Sequence, residues 1–113
     1  MITYWHNPRC SKSRAGLALL QERGAEHQLR LYLQDAPSLQ EVTALRDALG
    51  MSAFEMMRTG EKTFKALGLS KTSAEAELLA AMVAHPILIE RPIAVKDGKA
   101  AIGRPTEAIE ALL

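Results

Sequence analysis

The chain has 113 residues, 48% of them hydrophobic, enough to bury one compact core and little more. Lys and Arg number 14 against 13 for Asp and Glu, a formal net charge of +1, so global charge argues for neither nucleic acid nor an anionic membrane as partner. No apolar run approaches the roughly 20 residues of a bilayer span, the N-terminus turns polar by His6, unlike a signal peptide, and a single cysteine makes no internal disulfide, which fits a reducing cytoplasm.

Ile2-Thr3-Tyr4-Trp5 reads as a short, mostly buried strand. The segment His6-Asn7-Pro8-Arg9-Cys10 follows, and then a helix that begins near Ser11 or Ser13 and stops at Gly24. The only cysteine, Cys10, therefore falls at a helix start, where unpaired backbone N–H groups and the positive end of the dipole favour a thiolate. Arg9, Lys12 and Arg14 add cationic side chains and His6 is close in sequence, surroundings that lower a thiol pKa from about 8.5. A lone cysteine is often a small buried hydrophobe. The strand-to-helix turn and three cations mark this one as a candidate nucleophile.

His27 to Leu33 alternates, with Leu29, Leu31 and Leu33 on one side and Gln28, Arg30 and Tyr32 on the other, a strand pattern. Joined to the first strand through a helix, it predicts a βαβ unit with a parallel pair. The middle reads as helical. Ser38 to Glu41 has capping-box form, with Leu39, Val42, Leu45 and Leu49 at helical spacing before Gly50. Ser52 to Glu55 offers a second capping box for a short helix ending near Arg58, and Thr72 to Glu75 a third, ahead of Leu78, Leu79, Met82 and Val83. Met51, Met56, Met57 and Met82 read as core filling.

After His85-Pro86 the pattern turns to strands: Ile87-Leu88-Ile89, then Ile93-Ala94-Val95 beyond Arg91-Pro92. Asp97-Gly98 marks a tight hairpin and Ala100-Ala101-Ile102 the returning strand. Thr106 is placed to cap a final helix carrying Ile109, Leu112 and Leu113. The order βαβ, helical insertion, ββα is that of an α/β, thioredoxin-like fold with a mixed sheet. It predicts a single domain over 1–113 with the insertion at about 38–85.

Arginine suits an oxyanion, because its planar guanidinium donates two parallel hydrogen bonds. Arg58, Arg91 and Arg104 each lie at the end of an element, although sequence distance alone does not bring them together. No Cys/His cluster has zinc-ligand spacing, so no metal is expected.

His6-Asn7-Pro8-x-Cys10, Met57-Arg58, His85-Pro86-Ile87-Leu88-Ile89-x-Arg91-Pro92-Ile93 and Arg104-Pro105 resemble the ArsC family, the thioredoxin-fold arsenate reductases that use glutathione and glutaredoxin. The resemblance covers nearly the whole chain in the right order. It implies that Cys10 attacks arsenate, that Arg58, Arg91 and Arg104 converge on the oxyanion, and that His6 and Ser13 match residues beside the thiolate. Asn7 and Pro92 are supporting residues, and the fold implies a cis Arg91-Pro92 bond beside Cys10. Glutathione is then a co-substrate and glutaredoxin a partner, in a cytoplasmic monomer with no tightly bound cofactor.

The chain departs from characterised reductases in two places. Ser11-Lys12-Ser13 stands where they carry Gly-Thr-Ser, which resembles a short YfgD-like branch, and the sequence stops at Leu113 without their longer tail. Two other functions stay open. One is a glutathione-linked thiol oxidoreductase with a different substrate, because Cys10-x-x-Ser13 also resembles a monothiol redox site. The other is an RNA polymerase-binding regulator of Spx type, lacking the Cys-x-x-Cys switch because Ser13 holds the second position. A phosphatase-type Cys-x5-Arg loop is unsupported, since the sixth residue after Cys10 is Gly16.

Overall fold

The structure, a computed structural model, describes residues 1–113. It divides into two compact units, one made of residues 1–35 and 91–113 and the other of residues 36–90.

The first unit carries the sheet. Strand β1 (Ile2–Trp5) runs into helix α1 (Ser11–Glu22) and returns as β2 (His27–Arg30). Strands β3 (Ile93–Lys96) and β4 (Lys99–Ile102) follow in sequence and lead to a C-terminal 3₁₀ helix, Thr106–Leu112. The sheet order is β2-β1-β3-β4, with β1 parallel to β2 and antiparallel to β3, and β3 antiparallel to β4. This is the mixed sheet of a thioredoxin-like fold. Tyr4 sits opposite Leu29 on one side and Ala94 on the other, so β1 is central and flanked along its length. Helix α1 packs on the C-terminal 3₁₀ helix, which also rests on β3 and β4. Between them Ile2, Tyr4, Leu20, Ala94, Ile109 and Leu112 form a buried cluster. The hairpin closes through Asp97 and Gly98, with φ of 50° and 77°, the left-handed pair a two-residue turn requires.

The second unit is helical. Helix α2 (Leu39–Leu49) has the capping box its sequence announces: Ser38 Oγ accepts from Glu41 N, Glu41 returns a carboxylate to Ser38 N, and Gly50 ends it at φ 67°. Helices α3 (Lys62–Ala66) and α4 (Glu75–Ala84) complete it, with 3₁₀ turns at Phe54–Met56 and Pro86–Leu88. No helix of the protein is long and apolar enough to cross a membrane.

Six local expectations are corrected. Strand β2 ends at Arg30, not Leu33, because the chain turns back on itself there: Gln34 N and Asp35 N both donate to the Leu31 carbonyl. On this edge Leu29 and Leu33 are 47% and 41% exposed while Tyr32 is fully buried. Ile87-Leu88-Ile89 is not a strand. Pro86 opens a 3₁₀ turn, and only Ile89 pairs, in a single antiparallel bridge to Met57. A short buried apolar run has no period to separate the two cases. Thr72 does not cap α4, whose cap position is Ala74; Glu75 instead accepts from Ala53 N at 2.7 Å and pairs with Arg46 at 3.3 Å. The final helix is 3₁₀ rather than α and has Pro105, not Thr106, at its cap position. Of the methionines, Met56, Met57 and Met82 are buried, whereas Met51 is only partly so. The Ser52 and Glu55 pair forms its reciprocal hydrogen bonds, but around a single 3₁₀ turn.

Gly103 shows how tightly the first unit closes. A Cβ there would lie 2.7 Å from Pro92 Cγ and 2.9 Å from Ile109 Cδ1, and a proline ring cannot rotate away. Gly103→Ala is expected to cost about 1–3 kcal/mol, read as a lower urea midpoint with an unchanged slope. Unfolding at the wild-type midpoint would contradict this packing.

Candidate active site

The site is built on the turn from β1 into α1. Cys10 occupies the N-cap position of α1 with extended backbone, φ −95° and ψ 122°, and no side chain caps the helix. The first-turn N–H groups therefore remain available to the sulfur. The loop leading to it is pinned at several points. Cys10 N donates to the Asn7 carbonyl at 3.0 Å, Arg9 N to Asn7 Oδ1 at 3.1 Å, and Arg14 N to the Cys10 carbonyl at 3.0 Å.

Ser13 is completely buried and holds the loop from inside. Its Oγ accepts from Asn7 N at 2.9 Å and hydrogen-bonds His6 Nδ1 at 2.7 Å. Its carbonyl accepts from the Tyr4 hydroxyl at 2.6 Å. His6, 5% exposed, is therefore fixed to Ser13. Burial, and then the nearby Arg14 charge, push its pKa below the ordinary imidazole value.

Two cations reach Cys10 from far along the chain. Arg91 hydrogen-bonds the thiol, and Arg104 Nη2 lies 3.9 Å from Cys10 Sγ while its Nε donates to the Arg91 carbonyl at 2.8 Å. Both arginines precede cis prolines, Pro92 and Pro105. The Arg91-Pro92 bond was expected to be cis; sequence reading gave no sign that Arg104-Pro105 would be. The two segments are joined by Gly103 N donating to the Pro92 carbonyl at 2.8 Å.

Partial burial raises the Cys10 pKa, but it is outweighed by the Ser13 N–H, the Arg91 hydrogen bond, the Lys12 N–H and the Arg91 charge, so the net direction is down. This corrects the source of the activation. Arg9, Lys12 and Arg14 are not its cationic partners. Arg14 turns back to the Pro8 carbonyl at 2.8 Å, and Lys12 acts through its backbone rather than its ammonium. In a helix, successive side chains fan outward, so neighbours in sequence need not face the cap residue.

Arg58 belongs to the helical unit. Its Nε pairs with Glu61 and its Nη1 with Glu90, each at 3.1 Å, and its N–H donates to the Leu88 carbonyl at 2.7 Å. Sequence reading missed both carboxylates, though the three-residue spacing of Arg58 and Glu61 was a usable signal. It also missed the Tyr4 hydroxyl. No group of three or more His, Cys, Asp or Glu side chains is gathered to hold a metal ion.

A thioredoxin-like domain with one acidified thiol at a helix N-terminus, approached by two guanidiniums from the opposite hairpin, defines a class: monothiol sites able to face an anion. Within that class the chain belongs to the ArsC family, which it matches over residues 5–112. It is 48% identical over 114 residues to an arsenate reductase of Neisseria meningitidis serogroup B, covering 99% of this chain and 97% of that protein. It is 47% identical over 110 residues to the uncharacterised protein YfgD of Escherichia coli K12, covering 96% and 92%. The solved structure of an arsenate reductase from Vibrio cholerae superposes with a TM-score of 0.95 at 43% identity, covering 99% of this chain and 97% of that one.

The Cys10 alkylation rate should follow a pH profile with its midpoint below about 8.5, the free-thiol value. Arg91→Gln should move that midpoint up, with about threefold to tenfold less thiolate at low pH, while Arg9→Gln and Lys12→Gln leave it in place. His6 gives a second expectation. Its pKa in the folded protein lies below that in the unfolded chain, which takes up a proton near about pH 6.5, so stability falls as pH drops from that value toward the lowered folded pKa. Urea unfolding at about pH 7.5 and about pH 5.5 should show a larger acid loss for wild type than for His6→Gln.

Proposed function

We propose that this chain is an arsenate reductase that takes its second thiol from glutathione. The Cys10 thiolate attacks arsenic(V), forming a sulfur–arsenic bond as hydroxide leaves and takes up a proton as water. Arg91 and Arg104 hold the oxyanion charge as it approaches the sulfur and redistributes. Glutathione thiolate then attacks the Cys10 sulfur. A sulfur–sulfur bond forms, the sulfur–arsenic bond breaks, and its electron pair stays on arsenic, which leaves as arsenite. The two thiols have supplied the two electrons. Glutaredoxin thiol takes glutathione from Cys10 by exchange and restores the thiolate.

The observation that carries this reading is the convergence of Arg91 and Arg104 on Cys10 Sγ, from positions more than eighty residues along the chain. A thiolate needs cations to meet a polyanion, and a bidentate guanidinium matches an oxyanion better than an ammonium does. The similarity to arsenate reductases over almost the full length of both proteins supports the same reading. External thiols follow from chemistry: with a single cysteine, the chain cannot close an internal disulfide. The setting that supplies glutathione is the cytoplasm, and the catalytic unit is taken to be the monomer. The role of Arg58 rests on its motif match.

The test is arsenate-dependent NADPH oxidation with glutathione, glutathione reductase and glutaredoxin, with arsenite measured directly. Cys10→Ser should reduce turnover to background. Arg91→Lys and Arg104→Lys should each lower kcat/KM by about tenfold or more, since lysine keeps the charge but loses the fork, and Arg58→Lys reads the third position. Arg14→Lys should stay near wild type. Wild-type protein no more active than Cys10→Ser, but able to reduce glutathione mixed disulfides, would replace arsenate by a different substrate.

A further inference from the structure

Tyr4 does more than fill the core. It lies at the centre of β1, fully buried, yet its hydroxyl reaches out of the sheet to the Ser13 carbonyl at 2.6 Å. Helix α1 makes room for it. Gly16 sits within the helix, where glycine costs about 1 kcal/mol against alanine, and a Cβ at that position would overlap the Tyr4 hydroxyl oxygen. The hydroxyl also lies within reach of the Leu17 backbone N–H. Tyr4 and Gly16 thus form a matched pair that lets a phenol enter the first turns of the helix.

From there hydrogen bonds lead to the Cys10 carbonyl, on the backbone beside the thiol. Tyr4 O–H donates to the Ser13 carbonyl, and the N–H of the same peptide unit, that of Arg14, donates to the Cys10 carbonyl at 3.0 Å. Ser13 is also held through its hydroxyl by His6 and by Asn7 N, and its own N–H is the foremost donor stabilising the Cys10 thiolate.

We propose that the Tyr4 hydroxyl is a positioning residue for the Cys10 thiolate: by anchoring the Ser13 carbonyl it holds residue 13 in place, so that the first-turn N–H groups stay aimed at the sulfur. It touches neither sulfur nor substrate. The charged and titratable groups that do face the thiol are Arg91 and Arg104 from the ends of the β3–β4 hairpin, with His6 held one residue away on Ser13. Burial pushes the Tyr4 phenol well above its ordinary range, and the Cys10 charge adds to that, so it remains a donor throughout the range in which the thiol titrates. The inference rests on Cys10 being a working thiolate but not on arsenate as substrate.

The experiment is the pH profile of Cys10 alkylation, read without arsenate so that it stands apart from the turnover assay. Tyr4→Phe, which removes one oxygen, should raise the midpoint and slow alkylation at low pH by about threefold to tenfold, the span of one hydrogen bond. Gly16→Ala should shift it the same way by driving the hydroxyl off the carbonyl, and it serves if Tyr4→Phe does not fold. Ile109→Val loosens the same core without touching the hydrogen-bond chain; it should lower the urea midpoint and leave the titration unmoved. A folded Tyr4→Phe or Gly16→Ala protein that titrates like wild type overturns the proposal. So does an Ile109→Val shift as large as that of Tyr4→Phe.

Discussion

The first turn of an α-helix has N–H groups with no partner inside the helix, and something must accept from them. In α1 no side chain does so, because the N-cap position is occupied by Cys10 itself. Much of the architecture follows from leaving those donors to a sulfur. The sheet supplies the platform from which the chain turns, Asn7 and Arg14 lock the loop on either side of the cysteine, and Ser13 is buried as an anchor. A polar residue so fully enclosed is tolerable only when its groups are satisfied. Ser13 meets that condition with His6, Asn7 and Tyr4.

The electrostatics divide between backbone and side chain. Helix N–H groups favour a negative charge at close range, whereas Arg91 and Arg104 bring full positive charges beside the sulfur. Arg104 is held beside Cys10 by donating to the Arg91 carbonyl, so the backbone of one arginine orients the side chain of the other. Arg58 is paired with two carboxylates in its own unit, which fixes its guanidinium at the cost of neutralising it locally.

Elements with a strong local code were legible in the sequence. The capping box at Ser38 and Glu41, the Asp97-Gly98 turn, the Gly24 stop of α1 and the helix-start position of Cys10 all rest on contacts between residues a few positions apart. What was not legible depends on long-range packing. Ile87 to Ile89 carries an apolar run without a period, and Glu75 leaves its expected capping partner for Ala53 N, twenty-two residues earlier in sequence. The same limit applies at the site. Arg9, Lys12 and Arg14 looked decisive because they are near Cys10 in sequence, but the direction in which a side chain leaves a helix start is set by geometry that composition does not carry. Arg91 and Arg104 were legible only through the family resemblance, and the Tyr4 hydroxyl not at all, since an apolar strand pattern hides what the tip of a tyrosine does.

The mode of holding the thiolate has a consequence for the medium in which the protein works. Attraction between exposed charges fades over a Debye length of about 8 Å at physiological ionic strength, and a nucleophile tuned by surface lysines and arginines would change character with the salt around it. Here the charge on sulfur is held by peptide N–H groups and by an arginine in direct hydrogen-bonding contact. Mobile ions do not fit between such partners. The acidity of Cys10 therefore depends less on ionic strength than it would if exposed side chains alone supplied it, while the exposed cations of the same loop, Arg9 and Lys12, are left to feel the solution and whatever charged molecules it carries.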